Sequence, residues 1–211
     1  MNELMLKLKD SEFKSLFTLK DLSKYNFEDS YLKQMLHELT GNEDIIHIKD
    51  DIYTLGNGYR KELISEEVFA QMIDPDSYVS MEYVLFLVSW IPESVYSVTS
   101  VTKGSSMELR TKLGLYEFIS LPQKSYTAGV REYTDGIYRY KVAKPLKALA
   151  DMIYERKYKW NTLYPVYNSL RIEPEFLEEE LTGSDFDELH DTYGVKFVED
   201  FLSGIRKELA L

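Results

Sequence analysis

The chain has 211 residues, with 25 Lys+Arg against 36 Asp+Glu, a formal net charge of −11, and no cysteine. The missing cysteines exclude disulfides, thiolate metal sites and a cysteine nucleophile, and the acidic total argues against general binding to nucleic acid or to anionic membranes. Apolar residues at 44% suffice for a core, but no run reaches the ~18 apolar residues of a membrane-spanning helix. The start, Met1-Asn-Glu-Leu-Met-Leu-Lys, lacks the long apolar stretch of a signal peptide, so a cytoplasmic protein without a membrane partner is expected.

Met1 to Leu16 has helical spacing through Leu4, Leu6, Leu8, Phe13 and Leu16, and a first helix is expected there. Thr18 can cap a short second helix, with Asp21 three residues on as its acidic partner. Asn26 to Ser30 supply turn and capping chemistry. Leu32, Met35, Leu36 and Leu39 then fall on one face of a longer helix that stops at Gly41-Asn42. Ile46, Ile48, Ile52 and Tyr53 fit a small hairpin turning at Asp50-Asp51. Short helix, turn, longer helix and two-stranded wing follow in the order of a winged helix-turn-helix, expected over residues 1–65. Such a module usually places its second helix in the major groove of DNA.

At about 100° per residue, Ser30, Lys33, Gln34 and His37 project from the face opposite the apolar one. These residue types contact bases and phosphates. Lys20, Lys24, Lys49 and Arg60, with Lys61, form the candidate phosphate-holding patch. Charge opposes this reading: residues 1–65 hold nine basic and twelve acidic groups, and Asp50 and Asp51 at the wing tip repel a phosphate. The alternative is a protein-interaction module whose winged helix no longer binds DNA, using a Tyr-rich or acidic surface. The seventeen tyrosines fit such a surface, or a core whose rings keep one polar end.

Gly56-Asn-Gly58 reads as a flexible joint. Ser65-Glu-Glu opens a short helix through Ile73, ended by Asp74-Pro-Asp76. A second domain is expected over 66–211. Met81 to Trp90 is almost wholly apolar and reads as a buried helix capped by Ser80. Val95 to Thr102 alternates as a strand, and Met107 to Thr111 and Leu115 to Leu121 are strands on either side of Gly114. Val130 to Thr134 and Ile137 to Val142 flank Asp135-Gly136, a two-residue hairpin signal. Pro145 starts a helix whose Leu146, Leu149, Ile153 and Tyr154 pack on the sheet. The rest reads as a helical tail, with helices opening near Pro165, at Glu173-Pro174 and at Ser184, and an amphipathic one over Val195 to Leu209. Its Glu178-Glu179-Glu180 run reads as a solvated helix face. The fold class is thus α+β: an N-terminal winged helix-turn-helix, then a mixed, mainly antiparallel sheet with packed helices and a helical C-terminal region.

The strings Ser77-Tyr-Val-Ser-Met-Glu-Tyr-Val-Leu and Ile91-Pro-Glu-Ser-Val-Tyr-Ser-Val-Thr-Ser-Val-Thr, then Val142-Ala-Lys-Pro-Leu-Lys-Ala-Leu-Ala-Asp-Met-Ile-Tyr, resemble the AbiEi family of bacterial antitoxins. The winged helix before them and the Leu170-Arg-Ile-Glu segment after them occur in that family's order. The resemblance implies an antitoxin whose winged helix represses its operon by binding inverted repeats of operator DNA, as a homodimer if operator symmetry is mirrored in the protein. It also implies a cognate nucleotidyltransferase-like toxin, opposed without a stable complex.

Little else suggests chemistry. His37, His47 and His190 lack metal-ligand spacing, and Asp187 and Asp191 flank His190 as ion-pair partners. Lys103-Gly-Ser-Ser-Met is an incomplete phosphate loop and reads as an ordinary strand connection. Arg131, Arg139 and Lys141 admit a basic sheet face, but a solvent face balanced by Glu108, Glu117 and Glu132 is the favoured reading. No enzyme, cofactor or metal is expected. A nucleic-acid-processing enzyme would need a cleft with clustered carboxylates and a metal.

Overall fold

The computed structural model describes residues 2–211. The chain divides into two compact units, Met1–Ser65 with Thr111–Leu113, and Glu66–Arg110 with Gly114–Leu211. Together they are mixed α+β.

In the first unit, α1 (Glu3–Leu8) starts where the Asn2 side chain accepts from the Leu4 N–H at 3.0 Å. It stops well short of Leu16, which belongs instead to strand β1 (Leu16–Thr18). The helix ends because a side chain takes up the carbonyls: Lys61 Nζ donates to Leu8 O at 3.0 Å, to Phe13 O at 2.5 Å and to Asp10 O. Helix α2 (Leu19–Leu22) follows, and both the N–H and the hydroxyl of Thr18 donate to the Asp21 carboxylate, at 2.7 and 2.9 Å. Asn26, at φ 53°, turns the chain toward α3 (Asp29–Gly41), whose cap position is Glu28. Met35, Leu36 and Leu39 of α3 bury against Leu4, Leu8, Phe17 and Leu55. Strands β2 (Ile45–Lys49) and β3 (Ile52–Leu55) turn at Asp50, and the sheet order is β1-β3-β2, antiparallel throughout.

Gly56 is a tight fit where a flexible joint was expected. It is buried, its N–H donates to Asp44 O at 2.8 Å, and a Cβ there would lie 2.1 Å from Glu43 O. Only glycine lets the chain leaving β3 pass so close to the start of β2.

In the second unit, α4 (Glu66–Ile73) leads to β4 (Tyr78–Val79), α5 (Met81–Leu87) and β5 (Ser97–Thr102). Ser65 and Ser80 sit where caps were expected, yet neither makes the cap bond: the Ser65 hydroxyl finds no partner among the described residues, and Ser80 Oγ donates to Asp151. Helix α5 is shorter than the apolar run, and Phe86, Leu87 and Val88 are 37 to 45% exposed rather than buried. Strands β6 (Met107–Thr111), β7 (Gly114–Ser120), β8 (Val130–Asp135) and β9 (Tyr138–Ala143) complete a six-stranded sheet of order β6-β7-β5-β4-β9-β8. The sheet is more parallel than expected: β5 pairs with β7 in parallel over six positions and β4 pairs with β9 in parallel, while β4–β5 and β8–β9 are antiparallel. The reason is order, since β7 inserts between β5 and β6. The β8–β9 turn is one residue later than Asp135-Gly136. Asp135 pairs with Tyr138, leaving Gly136 (φ 58°) and Ile137 as the loop, with glycine at the first central position.

Strand β5 is buried on both faces from Val98 to Thr102, as a central strand must be. Helix α6 (Pro145–Arg156) begins with proline and is buried all round from Leu146 to Ile153. It touches α5, α9, α10 and β9. The helices α7 (Leu163–Leu170), α8 (Pro174–Glu180), α9 (Gly183–Leu189) and α10 (Lys196–Glu208) follow. Helix α9 is capped by Thr182 with Asp185, two residues before the expected Ser184. No described helix is long and apolar enough to cross a membrane.

Gly56→Ala is expected to cost about 2 kcal/mol, because the backbone at Glu43 must move to admit the methyl group. Urea denaturation measures it, and an unchanged midpoint would show that the chain there yields freely.

Candidate functional site

Two places concentrate polar side chains, one in each unit. In the first, Ser30, Lys33, Gln34 and His37 are all exposed on α3, opposite buried Met35, Leu36 and Leu39. Helical phase alone arranges this. Ser30 is partly engaged, since its hydroxyl donates to Glu28 Oε1 at 2.8 Å. Lys20 and Lys24 are exposed on α2 and the turn after it, and they line one cleft with Phe13, Lys14 and Phe17. Lys49 and Arg60 lie outside that cleft and are half-buried. Lys49 stands 3.7 Å from Asp50, and Arg60 Nε donates to Leu55 O at 3.0 Å. Arg60 thus helps hold the chain after β3, as Lys61 holds the chain after α1. His47 turns its ring nitrogen to Asp50 O at 2.8 Å and packs on Tyr53.

Among the described residues, Lys20, Lys24 and Lys33 enter no ion pair. The second unit treats many of its cations differently. Arg131 binds Glu188 at 2.8 and 2.9 Å, Lys144 binds Asp185 and Glu188, and Arg206 binds Asp187. Asp191 pairs with Lys124, so the carboxylates beside His190 are taken by other cations. A basic sheet face does not form: the register puts Arg131 opposite Val142, and Lys141 and Arg139 opposite Glu132 and Thr134, so Arg131 lies on the other face. The Lys103 loop is an ordinary connection, in which the Gly104 N–H donates to Thr102 Oγ1. Glu180, exposed on α8, accepts from buried Trp90 Nε1 at 2.9 Å.

The second place was not foreseen. Lys147 and Asp151, one turn apart on α6, are both 0% exposed and 2.9 Å from each other. Lys147 Nζ also donates to Tyr193 OH at 3.0 Å and to Gln123 Oε1. Asp151 accepts from Tyr78 OH at 3.0 Å, Ser80 Oγ at 2.7 Å and Tyr193 OH at 2.8 Å. The ammonium lies 4.3 Å from the Tyr193 ring centroid and 5.3 Å from that of Tyr78, close enough for cation–π attraction. Burial lowers Lys147 below the ordinary lysine value, against the pull of Asp151, and burial raises Tyr78 and Tyr193 well above the tyrosine value. The cluster is fully hydrogen-bonded, and no group of acids and histidines fit to hold a metal occurs among the described residues. The available signal was a Lys–Asp pair at i,i+4 beside Ala148 and Ala150, whose small side chains let neighbours approach closely.

Lys147→Ala is expected to destabilise by about 3–5 kcal/mol, since it strands a buried carboxylate, and Lys147→Met with Asp151→Leu should recover much of that. Urea denaturation of the three proteins tests this, and a single variant as stable as the parent would reject it. Glu188 provides the pH test. The Arg131 hydrogen bonds, with Lys144, hold its carboxyl down at about 2 against an ordinary 4.5. A depressed carboxylate stabilises the fold fully above the unfolded value, and that stability is lost as pH falls from about 4.5 toward 2. Denaturation midpoints of the parent and Glu188→Gln should differ at pH 7 and converge near pH 2, and a gap independent of pH would refute the assignment. No family model matches the chain, and no curated protein matches it either.

Proposed function

We propose that the chain is a DNA-binding transcriptional regulator whose N-terminal unit is a winged helix-turn-helix. The observation that carries this reading is the exposed face of α3, where Ser30, Lys33, Gln34 and His37 stand clear of the core. The order α1, β1, α2, α3, β2, β3, with a three-stranded antiparallel sheet, supports it. So do Lys20, Lys24 and Lys33, which an acidic chain leaves outside any ion pair among the described residues. In this reading α3 enters the major groove, Lys33 and Gln34 reach base edges, and Lys20 and Lys24 hold phosphates. Lys49 and Arg60 are weaker contributors, being half-buried and engaged.

The resemblance to AbiEi antitoxins extends the proposal. The protein represses its own operon through inverted repeats, as a homodimer, and opposes a nucleotidyltransferase-like toxin without a stable complex. It has no catalytic role of its own, and it works in the cytoplasm. One observation favours the second reading, a protein-contact module: Glu28 and Asp29 begin α3, and Asp50 and Asp51 form the β2–β3 turn, so carboxylates flank the surface that would meet phosphate.

Fluorescence anisotropy with the protein's own upstream DNA, across a salt series and against scrambled DNA, separates the two. Specific binding that weakens with salt supports the regulator, and Lys33→Ala with Gln34→Ala should abolish discrimination while leaving the fold intact. Absence of binding at low salt supports the protein-contact module.

A further inference from the structure

The turn between α2 and α3 carries a chain of rings. Phe13 and Tyr25 have centroids 6.2 Å apart, Tyr25 and Phe27 6.0 Å, and Phe27 and Tyr31 6.3 Å. Two lysines lie over one member of this chain. Lys24 Nζ is 5.0 Å from the Tyr25 centroid and 5.0 Å from that of Phe13, and Lys7 Nζ, reaching from α1, is 5.8 Å from Tyr25. Both lysines are exposed, and neither enters an ion pair among the described residues. The negative face of an aromatic ring attracts an ammonium at such distances without neutralising it, so both lysines keep their charge for a further partner. Carboxylates also stand near this surface and keep their charge: Asp21 accepts from Thr18, Glu3 accepts from Tyr31 OH at 3.5 Å, and Glu28 and Asp29 begin α3.

The location matters. The ridge ends at Tyr31, 44% exposed in the first turn of α3. This is the end of α3 that a recognition helix directs toward the bases, and it is the positive end of a 13-residue helix dipole. Asp29 offsets the charge of that helix end, so the two unpaired ammonium ions on the ring chain leading to it are what suits an anion with several oxygens.

We infer that Lys7 and Lys24, positioned by the Tyr25 ring, clamp a backbone phosphate of DNA beside the bases that α3 reads. This rests on the DNA-binding reading above and adds to it a sequence-independent contact that engages α1. The rings position the lysines and cover the apolar side of the sugar-phosphate chain, while discrimination between sequences stays with Lys33 and Gln34.

The test is Lys7→Ala with Lys24→Ala in the full chain, measured by fluorescence anisotropy on operator and scrambled DNA across a salt series. Loss of the one clamped phosphate should lower the salt slope by about 1 and weaken binding to both DNAs by a similar factor, leaving their ratio unchanged. Lys7→Arg with Lys24→Arg should restore the slope, and unchanged thermal unfolding guards against misfolding. Operator binding by the alanine variant with the parental slope would overturn the clamp and leave the α3 assignment standing. A loss confined to operator DNA would also overturn it, because a phosphate clamp cannot read sequence. If the unaltered protein binds neither DNA at low salt, both the clamp and the regulator reading fall together.

Discussion

The buried pair Lys147–Asp151 is the constraint on which the second unit depends. A helix enclosed on every side cannot carry an isolated charge, because desolvation costs several kcal/mol per ion. Helix α6 carries two charges of opposite sign at one-turn spacing, and each is completed by hydroxyls and an amide brought from elsewhere. Tyr78 and Ser80 come from β4 and the residue after it, Tyr193 from the link between α9 and α10, and Gln123 from the segment after β7. Those three segments are therefore fixed in register around one helix. An apolar core tolerates sliding and repacking, whereas a hydrogen-bonded ion pair accepts one arrangement.

Charge is managed differently in the two units, and net charge alone conceals this. The second unit spends many of its cations on specific carboxylates, as in the Arg131–Glu188–Lys144 group. The first unit holds several of its cations on aromatic rings or backbone carbonyls, with Lys49–Asp50 among its ion pairs. An overall charge of −11 therefore coexists with a small surface on which ammonium groups are free to act. Local groups decide contact with a polyanion, and the total mainly sets how fast such contacts form.

Helices and strands were legible where a single period governs the segment. The face of α3, the start of α6 at Pro145, the β8–β9 hairpin and the amphipathic α10 follow from spacing and from turn residues. What escaped was decided by distant partners. Leu16 looked like the continuation of a helix, but it pairs with Thr54 in a strand. Gly56 looked like a hinge until the Glu43 carbonyl was seen to occupy the space of a side chain. The parallel pairing of β5 with β7 depends on strand insertion, which no local pattern encodes. Lys147 and Asp151 went unnoticed as a pair, because their burial comes partly from helices that arrive later in the chain. The tyrosines divide between the two places composition allowed: Tyr78, Tyr83, Tyr116 and Tyr193 are at most 5% exposed, while Tyr31, Tyr96, Tyr133 and Tyr164 are 44% exposed or more.

The Lys61 bracket has a consequence for how the first unit folds. Its ammonium satisfies carbonyls at Leu8, Asp10 and Phe13, and Glu62 accepts from the Ser15 hydroxyl at 3.0 Å, all across separations of about fifty residues. Strand β1 likewise waits for β3. A nascent chain that has not yet exposed Lys61 can form α1 and α3, but it cannot close the segment joining α1 to β1. Closure of so long a loop is an entropic step that local helix formation cannot replace. The link between α1 and β1 is therefore held from the far end of the first 65 residues, by contacts of long sequence separation rather than by its own neighbours.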